Sequence, residues 1–304
     1  MLGVSKHPAL RAAVACVKGD WLWNVIRRES PHDEIREIQK MNEIKISVVI
    51  PTHKRPWFLE RALKSIHAQR ENFVQIIVVS DILDPETHAV AHQWLTDQDV
   101  FIRRSGESGP AESRNIGLQQ AVGDYVIFLD DDDEICENSL KDLIQTPSFK
   151  ENKLFRANGI RAVESRPNGV GLLISKEFAP YGLALNEEFY VRNQIPLSCV
   201  CVPLLLAKSM AFDHHMTAYE DWDYLMRLFI RDWPLYEELA LSTIYVVPDD
   251  TTDRRGQSLN AQNENAILDY LYAYKRTRAI NENIANKRAE LINAFGFPVQ
   301  SWQL

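Results

Sequence analysis

The sequence predicts an α/β protein built on a mostly parallel sheet with helices on both faces, carrying helical extensions at both ends. Three observations predict it. Short apolar runs rich in β-branched residues, Ile46 to Ile50, Ile76 to Val79 and Tyr125 to Leu129, read as buried strands. Stretches with apolar residues at helical spacing separate them. Each run also ends in polar residues, Thr52 to Arg55, Ser80 to Asp81 and Asp130 to Glu134, where sheets of this class bind ligands beyond the carboxyl ends of their strands.

The elements follow in order. Residues 1–43 read as a helical preface, because Leu10, Val14, Val17, Trp21 and Val25 recur at helical spacing. The stretch from Glu29 to Asn42 is a second helix or a linker. Trp21 and Trp23 leave two roles open, packing on the main domain and contact with a partner or membrane surface. The first strand closes at Pro51, and Leu59, Ala62, Leu63 and Ile66 mark the helix after it. A helix near Glu86 to Leu95 follows the second strand. A short strand at Val100 to Arg103, a loop from Ser105 to Pro110 and a helix from Ala111 to Val122 come next. The strand ending at Leu129 then runs into acids. These elements fill 44–150. From 151 to 260 the pattern is less regular, with short strands and loops up to Pro203. Tyr224, Leu225 and Leu228 then suggest a helix beginning beside Glu220 and Asp221. Residues 261–304 are helical again, with one stripe of Ile267, Tyr270, Leu271 and Tyr274 and another of Ile284, Leu291 and Ile292.

Composition narrows the function classes. A chain of 304 residues buries a substantial core, and 45% hydrophobic with 25% charged residues is ordinary for a globular protein. The net charge of -8 argues against a sequence-blind grip on nucleic acid. An acidic protein still binds an anionic nucleotide when a divalent cation lies between them. Cys16, Cys136, Cys199 and Cys201 lack the paired spacing of a zinc site and read as reduced, mostly buried thiols. Arg11, Lys18 and Asp20 interrupt any signal peptide, and the apolar stretch Ile195 to Ala207, cut by Pro196 and Pro203, is too short for a bilayer. A cytoplasmic protein is expected, with peripheral contact at the inner face of the membrane left open.

The acids from Asp130 to Glu134 carry the strongest chemical signal. Like charges at this density repel, and some stay protonated unless a cation or solvent relieves them. A Mg²⁺ or Mn²⁺ held by one or two carboxylates and substrate phosphates would do so. A solvated acidic loop, with Asn138 capping the next helix, is the other reading. Asp81 also suits a turn, Arg114 a surface ion pair, and Glu220 with Asp221 the first turn of a helix. His214 and His215 read as structural, since adjacent histidines seldom aim at one ion.

Four segments in order resemble the family 2 glycosyltransferases, whose fold is the Rossmann-like GT-A type. They are Ser47 to Pro56, Val78 to Asp81, Ser113 to Leu118 and Gly123 to Asp133, and Tyr219 to Arg227 is similar to the family's acidic acceptor-side motif. The resemblance covers roughly Lys45 to Val247. It implies an inverting enzyme that moves a sugar from a nucleotide-diphosphate sugar, with UDP expected, to a hydroxyl of a saccharide or lipid-linked acceptor. Polysaccharide or glycolipid synthesis is the implied setting, and Mn²⁺ or Mg²⁺ the implied cofactor. Pro51, Thr52 and Arg55 would wall the nucleotide pocket, and Asp81 would accept a hydrogen bond from the base. Arg114 would bind the nucleotide near the base, Asp130 would face the ribose with Asp131 also binding the nucleotide, and Asp132 would bind the metal. Asp221 would be the general base and Glu220 its acidic neighbour, because an acceptor hydroxyl needs a positioned carboxylate to take its proton.

The chain departs from the family pattern in two places. No histidine follows His215, and the region Val247 to Ser258 offers Arg254 and Arg255 instead, whose guanidinium groups suit a diphosphate. The family's acidic turn after the second strand is reduced to Ser80 to Leu83. Two other functions compete. A phosphatase of the haloacid dehalogenase type places its paired aspartates after the first strand, whereas here they follow the fourth. A non-catalytic binding or assembly module on the same fold would have no use for Asp132, Glu220 and Asp221 together.

Overall fold

The computed structural model describes residues 44–167, 171–216, 218–248 and 264–304. The helical preface of residues 1–43, with Cys16, and the pair Arg254 and Arg255 lie outside the described residues.

Four parallel strands form the first half of the sheet. They are β1 (Ile46–Thr52), β2 (Val74–Ser80), β3 (Val100–Arg103) and β4 (Tyr125–Phe128), side by side as β3-β2-β1-β4. The side-chain period of two sends alternate residues of β1 to opposite faces. Ile46, Val48 and Ile50 pack against Leu59, Leu63 and Ile66 of helix α1 (Pro56–His67), whose stripe matches the expected one. Val49, with Ile77 and Val79 of β2, joins the opposite core, to which Leu118 belongs. Helix α2 (Pro85–Trp94) follows β2, and helix α3 (Pro110–Gln120) precedes β4. Each of these helices opens with proline in its first turn, where the missing N–H costs nothing.

The second half of the sheet is mixed. It comprises β5 (Glu134–Ile135), β6 (Phe155–Ser165), β7 (Leu172–Ala179), β8 (Val200–Pro203) and β9 (Leu235–Val246). Antiparallel β8 joins β4, and the order continues β8-β6-β9-β5, with β7 antiparallel along β6. The eleven residues of β6 and twelve of β9 form longer strands than the irregular pattern suggested. Their polar residues hide the alternation because each is matched elsewhere: Arg156 donates to the Gly182 carbonyl at 2.7 Å, and Asn158 donates to the Tyr236 hydroxyl at 2.8 Å. Helix α4 (Glu220–Phe229) buries Trp222, Leu225 and Leu228 beside helices α5 (Glu264–Arg276) and α6 (Glu282–Ala294). Cys136, Cys199 and Cys201 are free thiols, the latter two buried. Among the described residues no helix is long and apolar enough to cross a membrane.

One close approach fixes α3 on the sheet. A Cβ on Gly117 would lie 2.4 Å from Val49 Cγ1 and 3.3 Å from Val79 Cγ2. Gly117→Ala should therefore push α3 off β1 and destabilise the fold by about 1–3 kcal/mol, as overpacked cores do. Chemical denaturation checks this; unchanged stability would mean that Val49 can yield.

Candidate active site

The carboxyl ends of β1, β2 and β4 meet the start of α4, and the acids after β4 sort into distinct partners. Asp130 accepts from Arg114 Nη2 at 2.7 Å. Asp131 is fully buried, accepting from Thr52 Oγ1 at 2.7 Å and pairing with Arg55 Nη2 at 2.7 Å. Asp132 Oδ2 receives Arg55 Nη1 at 3.2 Å and Arg166 Nη2 at 3.0 Å. Asp133 takes the backbone N–H of Tyr245 at 2.9 Å, and Glu134 takes the hydroxyl of the same residue at 2.5 Å. Much of the repulsion expected within this run is thus relieved by the protein's own cations and β9. Burial pushes the Asp131 carboxyl up to about 7, against the pull of Arg55 and with a further push from Asp132.

Asp81, at the end of β2, accepts from the Gly109 N–H at 2.9 Å and lies 2.5 Å from His53 Nδ1. Arg104 Nη2 stands 3.7 Å away, and this buried arginine braces the loop before α3 through the carbonyls of Glu107 and Gly109. The loop and Asp81 therefore form one unit beside Thr52, whose strand is paired in register with Ser80.

Arg114 joins the two halves. Its Nη1 donates to Glu220 Oε1 at 2.7 Å and its Nη2 to Asp130. Burial alone would lower its pKa, but Asp130, Glu220 and Asp221 outweigh that and raise it. Tyr219, which precedes α4, holds φ at 61°, a left-handed conformation costly for a bulky residue. That turn brings Glu220 and Asp221 together at the helix start. Burial, then the charge of Glu220, pushes Asp221 up to about 6, with Arg114 opposing. A carboxyl poised there suits a base working near neutrality.

The site residues expected from the sequence, apart from Arg254 and Arg255, thus lie at one end of the sheet and the start of α4, with Arg114 reaching both from α3. Several partners were missed: Arg104, Arg166 and Tyr245, together with Arg61, which donates to the Asp132 carbonyl, and Glu164, which receives both Arg61 and Arg166. No spacing in the sequence links them to the acids. Asp213, His214 and His215 also gather, with one ligand atom from each within 4.8 Å of the others. The Asp213 carboxylate there already accepts from the Tyr272 hydroxyl, from Arg276 and from the His215 N–H.

Comparison with known proteins decides the family. Residues 47–153 match the family description "Glycosyl transferase family 2". An uncharacterized glycosyltransferase of Haemophilus influenzae is 30% identical over 212 residues, covering 68% of this chain and 81% of that protein. The chain belongs to the family 2 glycosyltransferases. It is also 35% identical over 147 residues, 47% of its length, to the GalNAc(5)-diNAcBac-PP-undecaprenol beta-1,3-glucosyltransferase of Campylobacter jejuni, of which it covers 45%. A further relative is the Staphylococcus aureus poly(ribitol-phosphate) beta-N-acetylglucosaminyltransferase TarS, 23% identical over 290 residues, covering 85% of this chain and 50% of TarS. The chain therefore spans about half the length of these two relatives. The TarS fragment 1-349 in complex with UDP-GlcNAc superposes with a TM-score of 0.55 at 20% identity, over 84% of this chain and 74% of that one. The mannosyltransferase PcManGT of Pyrobaculum calidifontis, in complex with GDP-Man and Mn²⁺, gives 0.52 at 15% identity, over 84% and 73%. Both share the GT-A fold of this family 2 member.

A divalent ion fits the donor set at one point. Asp132 is anchored through Oδ2 by two guanidinium groups, and among the described residues no donor reaches its Oδ1. Asp130, Asp131 and Asp132 do not gather as a trio of ligands. One carboxylate oxygen completed by substrate phosphates and water is how Mg²⁺-like ions bind in phosphate sites.

Proposed function

We propose that the chain transfers a sugar from a nucleotide-diphosphate sugar, with UDP as the nucleotide, to a hydroxyl of a saccharide or lipid-linked acceptor, inverting the anomeric carbon. The supporting observation is Arg114, which ties Asp130 on the donor side to Glu220 at the start of α4 with bonds of 2.7 Å each. It holds Asp221 at a fixed place relative to the strand ends where a nucleotide would lie. The UDP-GlcNAc bound by TarS supports the choice of UDP, and the undecaprenol in the name of the Campylobacter relative supports a lipid-linked acceptor. Such an acceptor would bring the enzyme to the inner face of the membrane.

The residues divide the work. Thr52 and Asp81 bind the base, with Asp81 oriented by Gly109 and Arg104. Asp131 acts from beneath by fixing Thr52 and Arg55. Asp130 faces the ribose, and Asp132 would hold Mn²⁺ or Mg²⁺, which as a Lewis acid neutralises charge on the leaving diphosphate. Asp221 takes the acceptor's proton as its oxygen attacks the anomeric carbon, and the bond to the diphosphate breaks with its electron pair leaving on phosphate oxygen. Glu220 keeps Asp221 basic by raising its pKa. Arg254 or Arg255, which follow β9 in the sequence, would add a phosphate contact.

The test is release of nucleoside diphosphate from a panel of UDP- and GDP-sugars with Mn²⁺ present. Release of UDP from at least one UDP-sugar, abolished by chelator, is expected. Absence of release from every donor, together with no thermal stabilisation by UDP or GDP, would rule the function out.

A further inference from the structure

We propose that Arg166 is a donor-binding residue that reaches the diphosphate from the second half of the sheet and stabilises the leaving nucleoside diphosphate. This rests on the glycosyltransferase reading given above. Arg166 follows the last residue of β6, 34 positions from Asp132, yet its Nη2 lies 3.0 Å from Asp132 Oδ2. Its Nε donates to Glu164 Oε1 at 2.8 Å, and its guanidinium carbon sits 4.4 Å from the centre of the Phe58 ring. Glu164 is itself almost fully buried and also receives Arg61 Nη1 at 2.7 Å. The planar group is thereby held at Nε, at Nη2 and on one face. Its Nη1 makes no bond among the described residues and remains as a donor beside Asp132.

A guanidinium fixed this way is prepared for an oxyanion. Its orientation entropy is already spent, and its paired N–H groups match phosphate oxygens. Charge points the same way. Arg55, Arg61 and Arg166 face Asp131, Asp132 and Glu164. The diphosphate of a sugar nucleotide adds a charge that a divalent ion cancels. When the sugar leaves, the nucleoside diphosphate gains a further negative charge, beyond what that ion cancels. A fixed donor at Arg166 answers it where it develops, which lowers the barrier as well as tightening product binding.

The experiment compares wild type, Arg166→Gln and Arg166→Lys in the full chain, after thermal unfolding shows that each is folded. Calorimetry measures affinity for UDP and for uridine at two Mn²⁺ concentrations. Arg166→Gln should weaken UDP roughly 10- to 100-fold, the range of a charged hydrogen bond, and leave uridine unchanged. Arg166→Lys should recover part of the loss, and raising Mn²⁺ should not restore the Gln variant. Three results would overturn the proposal: wild-type UDP affinity in Arg166→Gln, an equal loss for uridine, or full rescue by extra Mn²⁺. The last would make Arg166 a support for Asp132 alone. If the wild type binds neither UDP nor uridine, the donor reading itself falls, and the proposal with it.

Discussion

Asp132→Asn is expected to lose metal-dependent turnover, by roughly 10²- to 10³-fold if the lost stabilisation resembles that of other preorganised charge-neutralising groups. Asparagine suits the purpose better than alanine. Asp132 accepts from both Arg55 and Arg166, and removal of the side chain would leave each guanidinium with one carboxylate partner fewer, Arg55 with Asp131 and Arg166 with Glu164. An amide oxygen still accepts those bonds but is a poor ligand for a hard cation. The variant should therefore fold, keep its affinity for uridine and lose the Mn²⁺-dependent part of its affinity for UDP. Turnover across a Mn²⁺ series and calorimetry with and without the metal check both parts. Wild-type turnover with an unchanged Mn²⁺ response would remove Asp132 from the metal site.

Asp221→Asn should separate chemistry from binding. A side-chain base contributes roughly 10²- to 10⁴-fold, and turnover should fall by that order while UDP affinity stays near that of wild type. The pH profile gives an independent check. Asp221 acts when deprotonated, and burial with the charge of Glu220 pushes its pKa up to about 6. Turnover should thus be full above that value and fall tenfold per pH unit well below it. Glu220→Gln removes the neighbouring negative charge, so the acidic limb should move to lower pH. A limb unmoved in Glu220→Gln, or lost UDP binding in a folded Asp221→Asn, would assign these carboxylates elsewhere.

The first half of the sheet was legible because burial on both faces forces continuous apolar runs, as in β1 and β2, which are buried along their whole length. The acids after β4 were legible for the converse reason, since so many carboxylates together demand an explanation. What each acid does was not legible. Asp131 and Asp133 look alike in sequence, yet one supports Thr52 and Arg55 while the other caps the N–H of Tyr245. Those partners are set by strand register rather than by spacing. The link from Arg114 to Glu220 spans 106 positions and joins α3, packed closely on the sheet at Gly117, to α4, which follows Tyr219 in its left-handed conformation. The full length of β6, read only as short strands, and the strand β9 were missed because their charged residues find partners across the sheet, so alternation does not mark their buried face.

The most direct test is a crystal of the protein soaked with UDP and Mn²⁺, with the manganese located by its anomalous signal. Manganese should appear about 2.1–2.2 Å from Asp132 Oδ1, the usual range for divalent ions of this size on carboxylate oxygen. It should bridge to the diphosphate, with the uracil against Asp81. Manganese bound instead at Asp213, His214 and His215, with UDP away from the strand ends, would contradict the assignment of this site.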